Sequence, residues 1–230
     1  MVMKKLAIIP AYNEKQSIIF TVEDIKKNAP DFDYVIINDC STDNTMDICR
    51  YQGYNVLNLP INLGIGGAVQ TGYLYAYRNG YDIAVQFDGD GQHKAEYLDG
   101  MAKYLIENNL DMVIGSRFIE NAGFQSTKMR RIGIRYFTIL IKLLTGKTIT
   151  DPTSGMRICN RKTIEMFANE YPRDFPEPES NMRMLRHKRK IAEVPVEMRS
   201  RHGGVSFISP FVSVYYMIKV TLAVLIERMR

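Results

Sequence analysis

The chain has 230 residues, 46% of them apolar and 24% charged, with a net charge of +5. That is enough for one globular domain with a sizeable core, and it excludes a disordered or fibrous chain. Cys40, Cys49 and Cys159 form no CxxC pair and no Cys/His set at zinc spacing, so a reducing compartment is expected, with neither a disulfide framework nor structural zinc. Charge is divided along the chain. Residues 1–115 carry 9 Lys/Arg against 15 Asp/Glu, and residues 116–230 carry 21 against 10. An acidic front half suits a cation site and a basic back half suits anions. The basic residues lie among aliphatic stretches without an RNA-binding signature, so no nucleic-acid partner is expected.

In chain order, Lys4–Pro10 reads as a strand, and its apolar run is too short for an export signal. Ser17–Asn28 follows as a helix with Ser17 placed to cap it. Tyr34–Asn38 is a second strand, Asn44–Gln52 a helix ending at Gly53, and Asn55–Leu59 a third strand. Gly66–Arg78 is a helix, Ile83–Phe87 a fourth strand, Glu96–Asn108 a helix and Asp111–Ile114 another strand. Such alternation makes successive βαβ units and predicts an α/β fold with a mainly parallel central sheet flanked by helices. Thr127–Gly146 is a long amphipathic segment with a basic start. Asp151–Cys159 reads as a turn into a strand, Glu179–Lys188 as a helix and Ile191–Glu197 as a closing strand. The division expected is a domain over 1–206 and a hydrophobic C-terminal helical tail over 207–230.

Ligands of parallel sheets sit beyond the carboxyl ends of the strands, and four chemistry-bearing motifs begin there. In Val85-Gln-Phe-Asp88-Gly-Asp90-Gly-Gln92-His93 an apolar strand delivers two aspartates, one residue apart, into a Gly-containing turn. Two hard carboxylates can hold Mg²⁺ or Mn²⁺ while leaving positions for water and phosphate oxygens, and Gln92 offers a neutral oxygen; the competing reading is a solvated turn. In Ile8-Ile-Pro10-Ala-Tyr12-Asn-Glu14, Pro10 stops the strand, Tyr12 offers a ring for stacking and Glu14 an acceptor, although Glu14 also suits a helix start. Asn38-Asp39-Cys-Ser-Thr-Asp43 offers Asp39 as an acceptor for a base N–H, with Asp43 equally well a helix-entry residue. Asn62-Leu-Gly64-Ile-Gly66-Gly67-Ala68 opens a helix. Val69 stands where a GxGxxG fingerprint needs Gly or Ala, so the segment reads instead as a bare helix N-terminus that a ligand can approach over Gly66 and Gly67.

Together with Gly115-Ser-Arg117-Phe118, Asp151-Pro-Thr-Ser154-Gly-Met-Arg157 and Arg201-His-Gly-Gly204-Val-Ser206, these motifs resemble the family 2 glycosyltransferases of the GT-A fold. In look they are nearest to the short enzymes similar to polyprenyl- and dolichyl-phosphate sugar synthases. The resemblance covers most of the chain. It implies an inverting, metal-dependent transfer of sugar from a nucleotide-diphosphate donor. Pro10, Tyr12, Glu14 and Asp39 would hold the nucleoside, joined by Asp43, Gly66 and Gly67, and Asp88, Asp90 and Gln92 would hold the metal on the diphosphate. Arg117 and Arg201 would approach phosphate oxygens, for which their planar forks suit them. Phe207 follows Ser206 where several relatives place Lys, so that diphosphate contact is either missing or supplied by His202 or Arg199. On the acceptor side, Phe175-Pro-Glu177-Pro-Glu179 places two carboxylates beside prolines, and Glu179 matches the acidic residue that begins the family's next helix. Asp151 is poised either as an acceptor-site acid or as a turn residue. Asp90, Glu179, Asp151 and Arg117 are thus the catalytic candidates.

The expected acceptor is a polyprenyl phosphate or lipid-linked glycan, and the expected donor a UDP-sugar, glucose first. The alternatives are a sugar-nucleotide nucleotidyltransferase and a non-catalytic membrane-surface scaffold with a vestigial site. Phe207–Ile226 meets the length of a span, but Ser209, Pro210, Ser213, Lys219 and Thr221 dilute it. An interfacial helix fits better, joined by the amphipathic stretch Ile132–Leu144 with Lys128, Arg130, Arg131 and Arg135 for anionic lipid. The competing reading makes both segments core or dimer-interface helices, and the oligomeric state stays open. The expected location is cytoplasmic, peripheral at the inner face of the cell membrane.

Overall fold

The computed structural model describes residues 3–120, 123–124, 127–174, 176–200 and 210–229. Its centre is β1 (Lys5–Ala11), whose Leu-Ala-Ile-Ile-Pro-Ala run is buried on both faces. A strand without polar alternation can only lie between two covering layers. Parallel to it on one side run β2 (Phe32–Asn38) and then β3 (Val56–Asn58), and on the other β4 (Ile83–Gln86). The sheet continues through β6 (Arg157–Asn160), β5 (Met112–Ser116) and β7 (Ile191–Pro195), in the order β3-β2-β1-β4-β6-β5-β7. β6 alone is antiparallel, to both β4 and β5. The sheet is therefore mainly parallel, as expected, with one inserted antiparallel strand.

Helices cover both faces. On one lie α1 (Ile18–Asn28), α2 (Thr45–Tyr51) and α4 (Leu98–Glu107), the last entered through a 3₁₀ turn at Ala95–Tyr97. On the other lie α3 (Gly64–Arg78) and α6 (Arg161–Asn169), burying Tyr73, Phe167 and Tyr171 in mutual ring contact. The sequence reading did not anticipate α6, although Asn160 accepts the Thr163 N–H as its N-cap. Ser17 does hold the N-cap position of α1, but its hydroxyl donates to the Glu14 carboxylate at 2.7 Å and makes no cap bond.

α5 (Lys128–Thr145) starts at Thr127, whose hydroxyl accepts the Arg130 N–H, and stops at Gly146 in the left-handed region. α7 (Pro176–Arg186) and α8 (Pro210–Met229) pack with it around Phe137, Met182, Val220 and Val224. The end of α8 is tied down by Glu227, buried and paired with Arg183 at 3.0 Å and Arg186 at 3.0 Å. The outer surfaces of α5 and α8 stay apolar: Ile132, Ile139 and Leu143 on one, Ile218, Leu222 and Ile226 on the other, are exposed. Among the described residues no helix is long and apolar enough to cross a membrane.

Candidate active site

A cleft of about 410 Å³ opens where β1, β2 and β4 end. Pro10 near the end of β1, which runs past the proline to Ala11 rather than stopping at it, Tyr12 and Glu14 from the first loop, Asp39 from the second, Asn62, Gly64 and Ile65 at the start of α3, and Asp88, Gly89 and Asp90 from the fourth line it. Six sequence-predicted residues, Pro10, Tyr12, Glu14, Asp39, Asp88 and Asp90, thus meet in one place.

The first two loops are knitted together by Asn13, a non-glycine residue at φ +59°. Its side-chain oxygen accepts the Thr42 N–H at 2.8 Å and the Asp43 N–H at 3.2 Å, while its own N–H donates to Ser41. Asn is among the side chains that tolerate this backbone region, and the bonds it makes repay the strain. Asp43 serves that same scaffold: its carboxylate accepts the Thr45 N–H at 2.9 Å and starts α2. The helix-entry reading of Asp43 therefore describes its contacts, and Asp43 is not among the residues lining the cleft.

Asp39 is buried, with one carboxylate oxygen accepting the Leu63 N–H at 2.7 Å. Burial pushes its carboxyl above the ordinary Asp value, opposed by the Leu63 and Gly64 N–H groups. The aspartate thus occupies the N-terminus of α3, the place expected for a ligand's negative charge. The glycines there do something other than expected. The Gly66 N–H already donates to the Arg173 carbonyl at 3.0 Å, and a Cβ on Gly66 would lie 2.1 Å from that oxygen and 2.2 Å from the Pro172 oxygen. A Cβ on Gly67 would meet the Leu63 Cβ at 2.5 Å. Both are packing glycines, which corrects their reading as a ligand approach.

Asp88 and Asp90 face the cleft from a turn that passes close over β1, where a Cβ on Gly89 would stand 2.9 Å from the Pro10 oxygen. Gln86, fully buried, donates to Asp88 Oδ1 at 3.0 Å, and His93 Nε2 lies 3.6 Å from Asp88 Oδ2. Asp90 Oδ1 accepts the Gln92 N–H at 3.0 Å, while the Gln92 amide donates to the Arg199 carbonyl at 3.3 Å. Among the described residues no group of three or more His, Cys, Asp or Glu side chains forms a closed ion site. Two hard oxygen donors that line an open cleft fit Mg²⁺ or Mn²⁺ with the remaining positions left to water or substrate oxygens.

The remaining candidates are engaged elsewhere. Arg117 forms a fork on Asp151, Nε to Oδ2 at 2.6 Å and Nη2 to Oδ1 at 2.8 Å, with Asp151 wholly buried. Each neutralises the other inside the protein, where an unpaired charge would be costly. This corrects both the acceptor-site acid and the phosphate-contacting arginine. Arg199 is likewise held by Asp24 and is not among the residues lining the cleft. Of the two carboxylates beside prolines, Glu179 lies 3.8 Å from Arg183 on its own helix. Glu177 instead lies in the electrostatic reach of Asp88 and Gln86, and burial raises its carboxyl above the ordinary Glu value, offset by Arg157 and reinforced by Asp88. Arg157, fully buried, spends its donors on the oxygens of Ser154, Pro152, Glu177 and Ser180. The sequence motif contains Glu177, and the i, i+4 spacing to Arg183 is the local signal that Glu179 is engaged on its own helix. Arg201, His202 and Ser206 lie outside the described residues, as do Phe175 and the start of the tail at 207–209.

The fold is that of the GT-A glycosyltransferases. Glucosyl-3-phosphoglycerate synthase of Mycobacterium tuberculosis, solved with Mn²⁺, uridine diphosphate and phosphoglyceric acid, superposes over 98% of this chain and 78% of its own with a TM-score of 0.73, at 18% identity. Residues 6–167 match the sequence family Glycosyl transferase family 2, and the chain belongs to that family. It is 29% identical over 216 residues to undecaprenyl-phosphate mannosyltransferase of Micrococcus luteus, covering 90% of this chain and 88% of that one. It is 30% identical over 210 residues to UDP-N-acetylglucosamine–dolichyl-phosphate N-acetylglucosaminyltransferase of Methanococcus voltae, covering 83% of each. The chain is a glycosyltransferase.

Proposed function

We propose that the chain transfers a sugar, glucose first among the candidates, from a UDP-linked donor to a polyprenyl phosphate or lipid-linked glycan at a membrane surface, with inversion at the anomeric carbon. The observation that carries the reading is the convergence of Asp39, Asp88 and Asp90 on one cleft at the carboxyl ends of β2 and β4. It is supported by relatives named for undecaprenyl-phosphate and dolichyl-phosphate transfer and by a fold neighbour solved with Mn²⁺ and uridine diphosphate.

Asp39 offers an acceptor to a base N–H, and Tyr12 and Ile65, both partly exposed in the cleft, offer apolar surface to the ring. Asp88 and Asp90, with Gln92 beside them, would hold the divalent ion on the diphosphate; when bound, such an ion neutralises the charge that grows on the departing nucleoside diphosphate. Asp88 is oriented for this by Gln86 on one oxygen and His93 near the other. The sugar gains oxocarbenium character, and the acceptor oxygen must reach it from the opposite face. A phosphate acceptor is already anionic and needs positioning more than a base, so the engagement of Asp151 with Arg117 is no obstacle. For a hydroxyl acceptor, Glu177, whose carboxyl is raised by burial and feels the charge of Asp88, is the carboxylate to consider as base. The adjoining apolar outer faces of α5 and α8, with Arg130, Arg131 and Arg135 on the former, suit an anionic lipid surface.

The end of β1 and the loop after it read Pro10-Ala-Tyr-Asn-Glu14 rather than the Gly-rich basic loop of a nucleotidyltransferase. A screen of radiolabelled UDP-glucose, UDP-N-acetylglucosamine and GDP-mannose with membrane lipid extract and Mn²⁺ tests the proposal. Label is expected in the organic phase with one donor. Label remaining in water with every donor would overturn the lipid acceptor, and pyrophosphate release from UTP and a sugar 1-phosphate would favour the nucleotidyltransferase.

A further inference from the structure

We propose that His93 is a positioning residue for Asp88, held in place by a clamp between Asp24 of α1 and Arg199 of the segment that follows β7. The inference rests on the reading of Asp88 as a carboxylate that meets the metal and diphosphate.

The turn between β4 and the 3₁₀ turn at Ala95 contains Gly89 and Gly91, the latter at φ +76°. Left to itself such a turn samples many conformations, and each residue fixed costs about 1–2 kcal/mol in backbone entropy. A carboxylate carried on it is a poor ligand unless something removes that freedom. His93 does so from below. It is 2% exposed, and its Nδ1 accepts the Asp88 N–H at 3.1 Å. With Nδ1 accepting, the ring proton sits on Nε2, and Nε2 lies 3.6 Å from Asp88 Oδ2. One ring therefore addresses both the backbone and the carboxylate of Asp88. An edge contact with Phe87, ring centroids 5.3 Å apart, sets its tilt.

The clamp holds the other side of His93. Its carbonyl accepts from Arg199 Nη1 at 3.0 Å. That guanidinium meets both oxygens of Asp24, at 3.0 and 3.3 Å, and lies over the Phe20 ring. Asp24 Oδ2 also takes the Ala95 N–H at 2.9 Å, so the residues on either side of Lys94 are tied to that carboxylate, Ala95 directly and His93 through Arg199. Burial alone would raise the Asp24 carboxyl, but Arg199, the Ala95 N–H and Asn28 outweigh it and hold it below the ordinary Asp value. The Arg199 backbone adds a fourth tie, its N–H donating to the Gln92 carbonyl at 2.8 Å. Asp24, His93 and Arg199 do not line the cleft themselves; their output is the place of Asp88.

The experiment measures Mn²⁺ binding in the presence of UDP by electron paramagnetic resonance, with UDP affinity in EDTA measured alongside. His93→Phe keeps the ring volume and loses the acceptor, and His93→Asn restores an acceptor near the Nδ1 position. Removing partners that orient a metal ligand weakens metal affinity by roughly 10- to 100-fold. The Kd for Mn²⁺ should therefore rise by roughly 10-fold or more in His93→Phe and recover to within about 3-fold in His93→Asn, with metal-free UDP affinity unchanged in both. A merely structural histidine would not split the two affinities. Should His93→Phe lose metal-free UDP binding through misfolding, Arg199→Met decides, with an expected loss of roughly 5-fold in Mn²⁺ affinity alone. Wild-type Mn²⁺ affinity in a folded His93→Phe or Arg199→Met, while Asp88→Asn loses it, overturns the positioning role only. No Mn²⁺ binding by the wild type, or equal binding by Asp88→Asn, overturns the metal reading on which it stands.

Discussion

Replacing Gly66 by Ala tests why α3 begins where it does. The added Cβ would stand 2.1 Å from the Arg173 oxygen and 2.2 Å from the Pro172 oxygen, both of them backbone atoms. No side chain can swing aside, so the 172–173 segment must withdraw, and the hydrogen bond from the Gly66 N–H to Arg173 lengthens with it. Overpacking of this kind costs about 1–3 kcal/mol and loss of the bond about 1 kcal/mol. The better helix propensity of Ala returns about 1 kcal/mol. The net is a destabilisation of about 2 kcal/mol, which for a chain of this length lowers Tm by roughly 4–8 °C. A thermal melt followed by circular dichroism, with a UDP titration on the folded variant, reads both quantities. An unchanged Tm accompanied by weakened UDP binding would refute the reasoning, because ligand rather than protein backbone would then be what fills the space above Gly66.

Glu227→Gln should destabilise the chain by about 2–4 kcal/mol at neutral pH, since it removes the nearest carboxylate from buried Arg183, softened by the Glu170 carbonyl and the more distant Glu170 and Glu179 carboxylates that Arg183 retains. Despite its burial, Arg183 and Arg186 hold the Glu227 carboxyl below the ordinary 4.5, so its contribution is present above that value and is lost as pH falls through the depressed one; urea titrations of both proteins at several pH values should converge in acid. Equal stability at neutral pH would contradict the pairing. For UDP, affinity should fall as acid protonates Asp39, starting above the ordinary 3.8 because burial has raised that group, and Asp39→Asn should abolish this dependence and weaken binding roughly 10-fold at neutral pH by calorimetry. A pH dependence that persists in Asp39→Asn would assign it to another group. Flotation with phosphatidylglycerol vesicles should be lost in a Leu143→Glu, Leu222→Glu double variant, both sites being exposed on the outer faces of α5 and α8; undiminished flotation would remove those faces from membrane contact.

Much of the cleft was legible in the sequence because strands buried on both faces are written as plain apolar runs, and their ends announce where the chemistry begins. Asp39 follows β2 directly, Asp88 comes two residues after β4, and Pro10 lies one residue from the end of β1. What crosses between distant segments was not legible. β6 slots antiparallel between β4 and β5, which no local pattern announces. Arg117 and Asp151, 34 residues apart, each look available for chemistry until folding brings them together. Gly66 has the composition of a ligand loop and the duty of a packing contact with Arg173. Asp24 and Arg199, 175 residues apart, carry no local signal of their pairing, and nothing in the spacing of His93 from the acidic turn says that it bonds back to Asp88.

The most direct measurement is a crystal structure of the protein grown with manganese and UDP, with data collected near the manganese absorption edge. The account predicts an anomalous peak bridging the Asp88 and Asp90 carboxylates to the diphosphate, and a uracil ring against Asp39 and Tyr12. Nucleotide bound elsewhere, or a metal peak remote from both aspartates, would contradict it.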